Sequence, residues 1–178
     1  MAEILISLLH NHIINMVRSY RLELDISQQV LSKKITKYSE TNLVGLIESS
    51  KTPTTYNDSH LNIIVKEFSK MALSQGKEKI DYTIFDLYPK VAVPEKMIVK
   101  TIDTIPKNIQ ATGTLNLLIE NNDSFFNEWH NVKEITAYCN QYMKREWKTT
   151  DFTSVIVRAE TKKKLMRSGE NEALYKKS

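Results

Sequence analysis

Ser27-Gln28-Gln29-Val30-Leu31-Ser32-Lys33-Lys34-Ile35, then the polar run Thr36-Lys37-Tyr38-Ser39, then Glu40-Thr41-Asn42-Leu43-Val44-Gly45-Leu46-Ile47-Glu48-Ser49, is the stretch on which the fold turns. Ser27 is a good N-cap, because its hydroxyl can accept from the free N–H groups of a first turn. Val30, Leu31 and Ile35 make one apolar side at helical spacing. The polar run breaks the pattern. A second short helix is expected over residues 40–49, with Leu43, Leu46 and Ile47 inward. Outward from this pair, Leu5, Leu9, Ile13, Met16, Val17, Tyr20 and Leu24 recur close to a 3.6 period. They predict one long helix over residues 4–24, ended by Asp25. Past the polar loop at 51–58, Leu61, Ile64, Val65 and Phe68 share one face of a helix over residues 59–73.

Two short helices joined by a tight polar turn permit a helix-turn-helix, whose second helix lies in the major groove while the first crosses the backbone. The residues add a resemblance. Val17-Arg18-Ser19-Tyr20-Arg21, the run 26–35, Leu46-Ile47-Glu48-Ser49 with Lys51 and Pro53, and Leu61-Asn62-Ile63-Ile64-Val65-Lys66-Glu67-Phe68 together resemble the Cro and lambda-repressor-like (XRE-type) helix-turn-helix family. The likeness covers residues 14–73 and is most specific in Ser27-Gln28 joined to Ile47-Glu48. It implies a transcriptional regulator in which the Gln28 side chain steadies its helix against phosphate and against the recognition helix. Asp25 stands where the family has Gly, although Asp tolerates the left-handed conformation. The turn between the short helices is longer than usual and lacks its Gly.

Pro53, Pro89, Pro94 and Pro106 punctuate the chain. They suggest a helix-turn-helix domain over 1–78, an apolar connector over 79–106 and a second domain over 107–178. The connector carries Tyr82, Ile84, Phe85, Leu87, Val91, Val93, Met97, Ile98 and Val99, and is too apolar for a flexible tether. It is expected to pack along the domains or to supply a dimer contact. In the second domain, helices are predicted over 110–120, 132–143 and about 149–160, followed by strands at 164–167 and 173–177 around the turn Ser168-Gly169-Glu170-Asn171-Glu172. Three helices and a hairpin resemble a winged helix. The fold class is therefore mainly α, a four- to five-helix N-terminal domain and a C-terminal winged helix with a small β-hairpin.

Only 4 Gly and 4 Pro in 178 residues argue against a many-turned β-sandwich. The single cysteine, Cys139, leaves no internal disulfide and no multi-thiolate zinc site. No run approaches the ~20 apolar residues of a membrane span, and residues 4–17 make a poor signal peptide, so no membrane partner and a cytoplasmic location are expected. Net charge is +4, but residues 1–79, 80–143 and 144–178 carry +2, −3 and +5. Basic ends suggest an anionic partner, most simply nucleic acid, while a solvated lysine tail would look the same.

The resulting expectation is site-specific binding of double-stranded DNA. In the recognition helix Glu40, Thr41, Asn42 and Gly45 are expected to face outward. Asn pairs bidentately with adenine and Glu accepts from cytosine. Gln28, Gln29, Lys37, Ser39 and Lys51 surround them, with Lys33 and Lys34 as further phosphate contacts. In the second domain Thr150, Thr153, Ser154, Arg158, Lys163, Lys164 and Arg167 form the candidate surface, beside Lys148, Lys162, Lys176 and Lys177. A homodimer is expected, because one short helix reads few base pairs, and the apolar stretch 4–14 is its candidate surface. The alternative is a protein-interaction adaptor, antitoxin-like or anti-defence, whose residues 107–178 bind another protein. No catalytic residues, metal or cofactor are expected. His10 and His12 point about 200° apart on a helix, His60 and His130 are isolated, and Cys139 sits on an apolar face.

Overall fold

The computed structural model describes residues 3–38, 41–106, 109–169 and 173–178. They are mainly helical, with seven α-helices and two small antiparallel two-stranded sheets. The chain divides into two compact units, residues 1–108 and 109–178.

In the first unit the apolar opening is divided between two elements. Leu5–Ser7 forms strand β1, and α1 (Leu8–Glu23) starts only after Ser7, whose hydroxyl accepts from the His10 N–H at 3.1 Å. The single helix expected over 4–24 is thus corrected at its front. β1 pairs antiparallel with β2 (Met97–Val99), Leu5 opposite Val99 and Ser7 opposite Met97. Alternation buries Ile6 and leaves Leu5, Met97 and Val99 outward. Of the stretch read as a dimer surface, Ile6, Ile13 and Ile14 go into the core.

Asp25 adopts φ 57°, the left-handed turn that a short polar side chain accommodates, and the chain passes into α2 (Gln28–Thr36). Ser27 caps α2, its hydroxyl accepting from Val30 N–H at 3.2 Å. Leu31 and Ile35 point inward, whereas Val30 is half exposed. Lys37 closes the helix at φ 64°, in the role the missing glycine would have filled. α3 is short, Leu43–Ile47, and its phase differs from the sequence reading: Val44 and Ile47 are buried and Leu46 is 49% exposed. The Ser32 hydroxyl accepts the Val44 N–H at 2.9 Å, which binds the start of α3 to the middle of α2. α4 (Asp58–Ser74) buries Leu61, Ile64, Val65 and Phe68 as its period requires. Tyr20, Phe68 and Tyr82 meet edge to face.

Residues 79–106 belong to the first unit. Leu87 is fully buried in its core, Tyr82 N–H donates to Ser69 Oγ at 2.9 Å, and Asn11 and Asn15 bond the backbone at Thr101 and Asp103.

The second unit runs α5 (Ala111–Glu120), a short 3-10 turn, α6 (Val132–Met143), α7 (Thr149–Thr161), β3 (Leu165–Arg167) and β4 (Tyr175–Lys177). The three helices and the hairpin come in the order expected from the sequence, and an isolated antiparallel bridge joins His130 to Tyr175. Leu115, Leu118, Phe126, Ile135, Cys139, Phe152, Ile156, Leu165 and Tyr175 form its core. Val157, next to buried Val155 and Ile156 on α7, is half exposed.

Candidate nucleic-acid interface

The tandem helices of the first unit are held from below by a buried charged cluster. Arg21 falls four residues after Val17 and three before Leu24, in the middle of the apolar face of α1. Its guanidinium forks onto Glu48, Nε to Oε1 at 3.0 Å and Nη2 to Oε2 at 2.6 Å, with both side chains fully buried. Nη1 donates to the Ile26 carbonyl at 2.9 Å, and Gln28 Nε2 donates to Glu48 Oε2 at 2.9 Å. Glu48 follows directly on α3. The cluster therefore fixes the end of α3 against α1 and against the first turn of α2. The Gln28 amide is spent within the protein, on the residue that closes α3. Bidentate Arg–carboxylate pairs are short and directional, so they hold orientation as well as position. Tyr56, beside this pair, has its phenol pushed well above the usual range, chiefly by burial.

Above this base lies an exposed polar surface. Gln29, Lys33, Lys37, Asn42 and Lys51 are exposed, together with Tyr38 and Leu46. Asn42 stands at the N-terminus of α3, and its carboxamide lies over Gly45. A Cβ at residue 45 would come within 2.3 Å of Asn42 Oδ1. Gly45 thus opens the space that Asn42 occupies. Thr41 is half-buried and its hydroxyl meets Thr36 Oγ1 at 2.7 Å, so it fastens the turn between the helices. Lys34 pairs with Glu67 on α4 at 3.6 Å. Ser39 and Glu40 lie outside the described residues.

The second unit uses its cations differently. Lys164 reaches Asn116 Oδ1 on α5 at 2.7 Å, and Lys177 reaches the Ile119 carbonyl at 3.2 Å and Asn122. Lys176 lies over the Trp129 ring, 4.8 Å from its centroid. Half-buried Arg158 bonds Ser154 O and Thr112 Oγ1. Of the cations clustered by sequence, Lys148, Lys162, Lys163 and Arg167 are exposed. The outward face of α7 is Thr150, Thr153, Ser154, Val157 and Thr161, a stripe without a cation. The whole unit carries eleven Lys/Arg against nine Asp/Glu, so the basic C-terminal end is offset by acids on α5, α6 and the loop between them.

His130, isolated by sequence, is engaged. Its ring stacks on Phe125 at 3.8 Å, which stacks on Tyr138 at 4.0 Å, and its Nε2 lies 2.8 Å from the Phe125 carbonyl. Cys139 is buried, and desolvation pushes its thiol up to about 12, far from a reactive thiolate. Among the described residues no three His, Cys, Asp or Glu side chains form a metal-binding group, and no helix is long and apolar enough to cross a membrane.

In the sequence Arg21 and Glu48 stand out only as parts of a motif. The signal for more was present: an arginine inside an apolar stripe needs a buried partner. The chain matches no protein-family model, no curated protein and no solved structure.

Proposed function

We propose that this protein is a sequence-specific DNA-binding transcriptional regulator of the cytoplasm, acting as a homodimer. It contacts duplex DNA through the α2–α3 pair of its first unit. The observation that carries the reading is the clamping of Glu48 by Arg21 and Gln28. It holds a five-residue helix rigidly enough to present Asn42, with Lys33, Lys37 and Lys51 around it. Asn42 is the base-reading side chain, suited to the N6 and N7 atoms of adenine. The lysines supply phosphate contacts and Gln29 extends the surface along α2. The resemblance to the Cro and lambda-repressor-like family supports the same reading.

A second reading, in which residues 109–178 bind a protein, is favoured by the cation-free face of α7 and by the lysines committed to α5 and Trp129. In this combined form the first unit chooses the DNA and the second recruits or receives a protein.

The test is selection of duplexes from a random pool by the full chain, followed by salt titration on the selected and on random sequence. A recovered motif with tighter binding than random duplex supports the reading. Equal, sequence-independent affinity, or none, overturns it.

A further inference from the structure

The loop that follows α3 is fastened by a buried lysine far along the chain. Lys100, the residue after β2, is only 2% exposed. Its Nζ donates to the Thr52 carbonyl at 2.9 Å and to the Thr54 carbonyl at 3.0 Å. Among the described residues it forms no ion pair. Burial alone lowers its pKa from the ordinary lysine value. An amine placed in this way is costly as packing, since an unpaired buried ammonium loses its hydration. What it supplies is donors to the carbonyls of an irregular segment that has no ladder of its own.

That segment is the one behind the recognition helix. Thr52 Oγ1 donates back to the Leu46 carbonyl of α3 at 2.7 Å, and exposed Lys51 precedes it directly. At its other end Lys100 is anchored by its own N–H, which donates to the Ile4 carbonyl at 2.7 Å and extends the β1–β2 pairing. A continuous path therefore runs from the small sheet through Lys100 to the loop that carries Lys51.

We propose that Lys100 is a positioning residue of the DNA interface: it holds the loop over residues 51–57 in the conformation that presents Lys51 to a phosphate, which makes residues 79–106 a working part of the DNA-binding unit. This rests on the DNA-binding reading above.

The experiment uses the full chain and its Lys100→Met, Lys51→Ala and doubly substituted variants. Hydrogen exchange over 51–57 and binding to a random-sequence duplex across salt are both measured. In Lys100→Met, exchange over 51–57 rises by about tenfold, as expected when carbonyls lose their donors, while α1 and α4 keep their protection. The slope of log affinity against log salt falls by about 0.9 in Lys51→Ala and by the same amount in Lys100→Met, and the double variant falls no further. Lys100→Arg, which keeps the donors, restores the slope at least in part.

Unchanged exchange over 51–57, additive slopes, or loss of protection throughout the first unit each overturns the proposal. No duplex binding by the unsubstituted chain overturns the DNA reading and the Lys51 role together. The exchange arm separately decides whether Lys100 holds the loop.

Discussion

The two units differ in the charge they bury. The first buries Arg21, Glu48 and Lys100 beneath and behind α3, and leaves Lys33, Lys37 and Lys51 exposed around it. The second turns Lys164 and Lys177 onto α5 and lays Lys176 on Trp129. Yet by sequence the second has the denser run of cations. A count of lysines is therefore a poor measure of the field a partner would meet. A flexible amine with a carbonyl, an amide oxygen or an aromatic face within reach is drawn to it, and what remains exposed depends on the local supply of such acceptors.

The sharpest way to break this contrast is to unpair the buried charge. Glu48→Leu strands Arg21 in the core, and it should destabilise the first unit by about 3–5 kcal/mol. Combining it with Arg21→Met should recover most of that loss. Urea melts with exchange protection read over α1 and α2 check both outcomes. A small loss for Glu48→Leu alone would mean that the pair is not the clamp described here.

The surface above the clamp should respond in affinity rather than in stability. Asn42→Ala should cost about 1–3 kcal/mol on the selected duplex and little on random duplex. Gly45→Ala sharpens this. In an isolated helix the change stabilises by about 1 kcal/mol, but here the new methyl pushes the Asn42 carboxamide aside. Specific binding should weaken while the melting temperature holds or rises. Fluorescence anisotropy and calorimetry on the same samples separate the two effects.

The second unit supplies the counter-test. Lys163→Ala and Arg167→Ala, both at exposed positions, should each lower the salt slope by about 0.9 if this unit touches DNA. Lys164→Ala should instead lower the melting temperature with no change of slope, because it removes a donor to Asn116 Oδ1. Should none of the three alter the slope, the protein-binding reading of this unit gains.

The smallest effect is a shared alkaline weakening. Tyr82 in the first unit and Tyr138 in the second are both pushed up to about 12, first by desolvation and then by neighbours, Tyr20 for one and the Asp123 hydrogen bond for the other. Their unfolded forms release a proton near pH 10 while the folded forms keep it. Each contribution is complete below pH 10 and is lost as pH climbs towards 12. Tyr82→Phe and Tyr138→Phe should flatten the loss, each in its own unit, in melts across that range.

Much of the architecture could be read from residue order. Ser27 as a cap, Leu31 and Ile35 inward, the inward face of α4, and the helix–helix–helix–hairpin order of the second unit all follow from capping chemistry and periodicity. The misses have separate causes. The run 4–7 has no local mark separating strand from helix, since its partner lies some ninety residues away at Met97–Val99. Val30 and Leu46 are apolar but exposed, because α2 and α3 have too few turns for periodicity to settle their phase, and Val157 is exposed because it follows Val155 and Ile156 directly and three successive residues cannot all face one side of α7.

By itself the sequence determined most of the helices and the Ser27 cap, for these depend on side chains bonding backbone within one or two turns. It also set Arg21 within the apolar stripe of α1. Tertiary structure alone decided which charges remain at the surface. Lys100 finding Thr52 and Thr54 and Lys164 finding Asn116 are contacts across 46 to 48 residues of chain. At such separations, partners are chosen by packing geometry, and spacing along the chain carries no record of them.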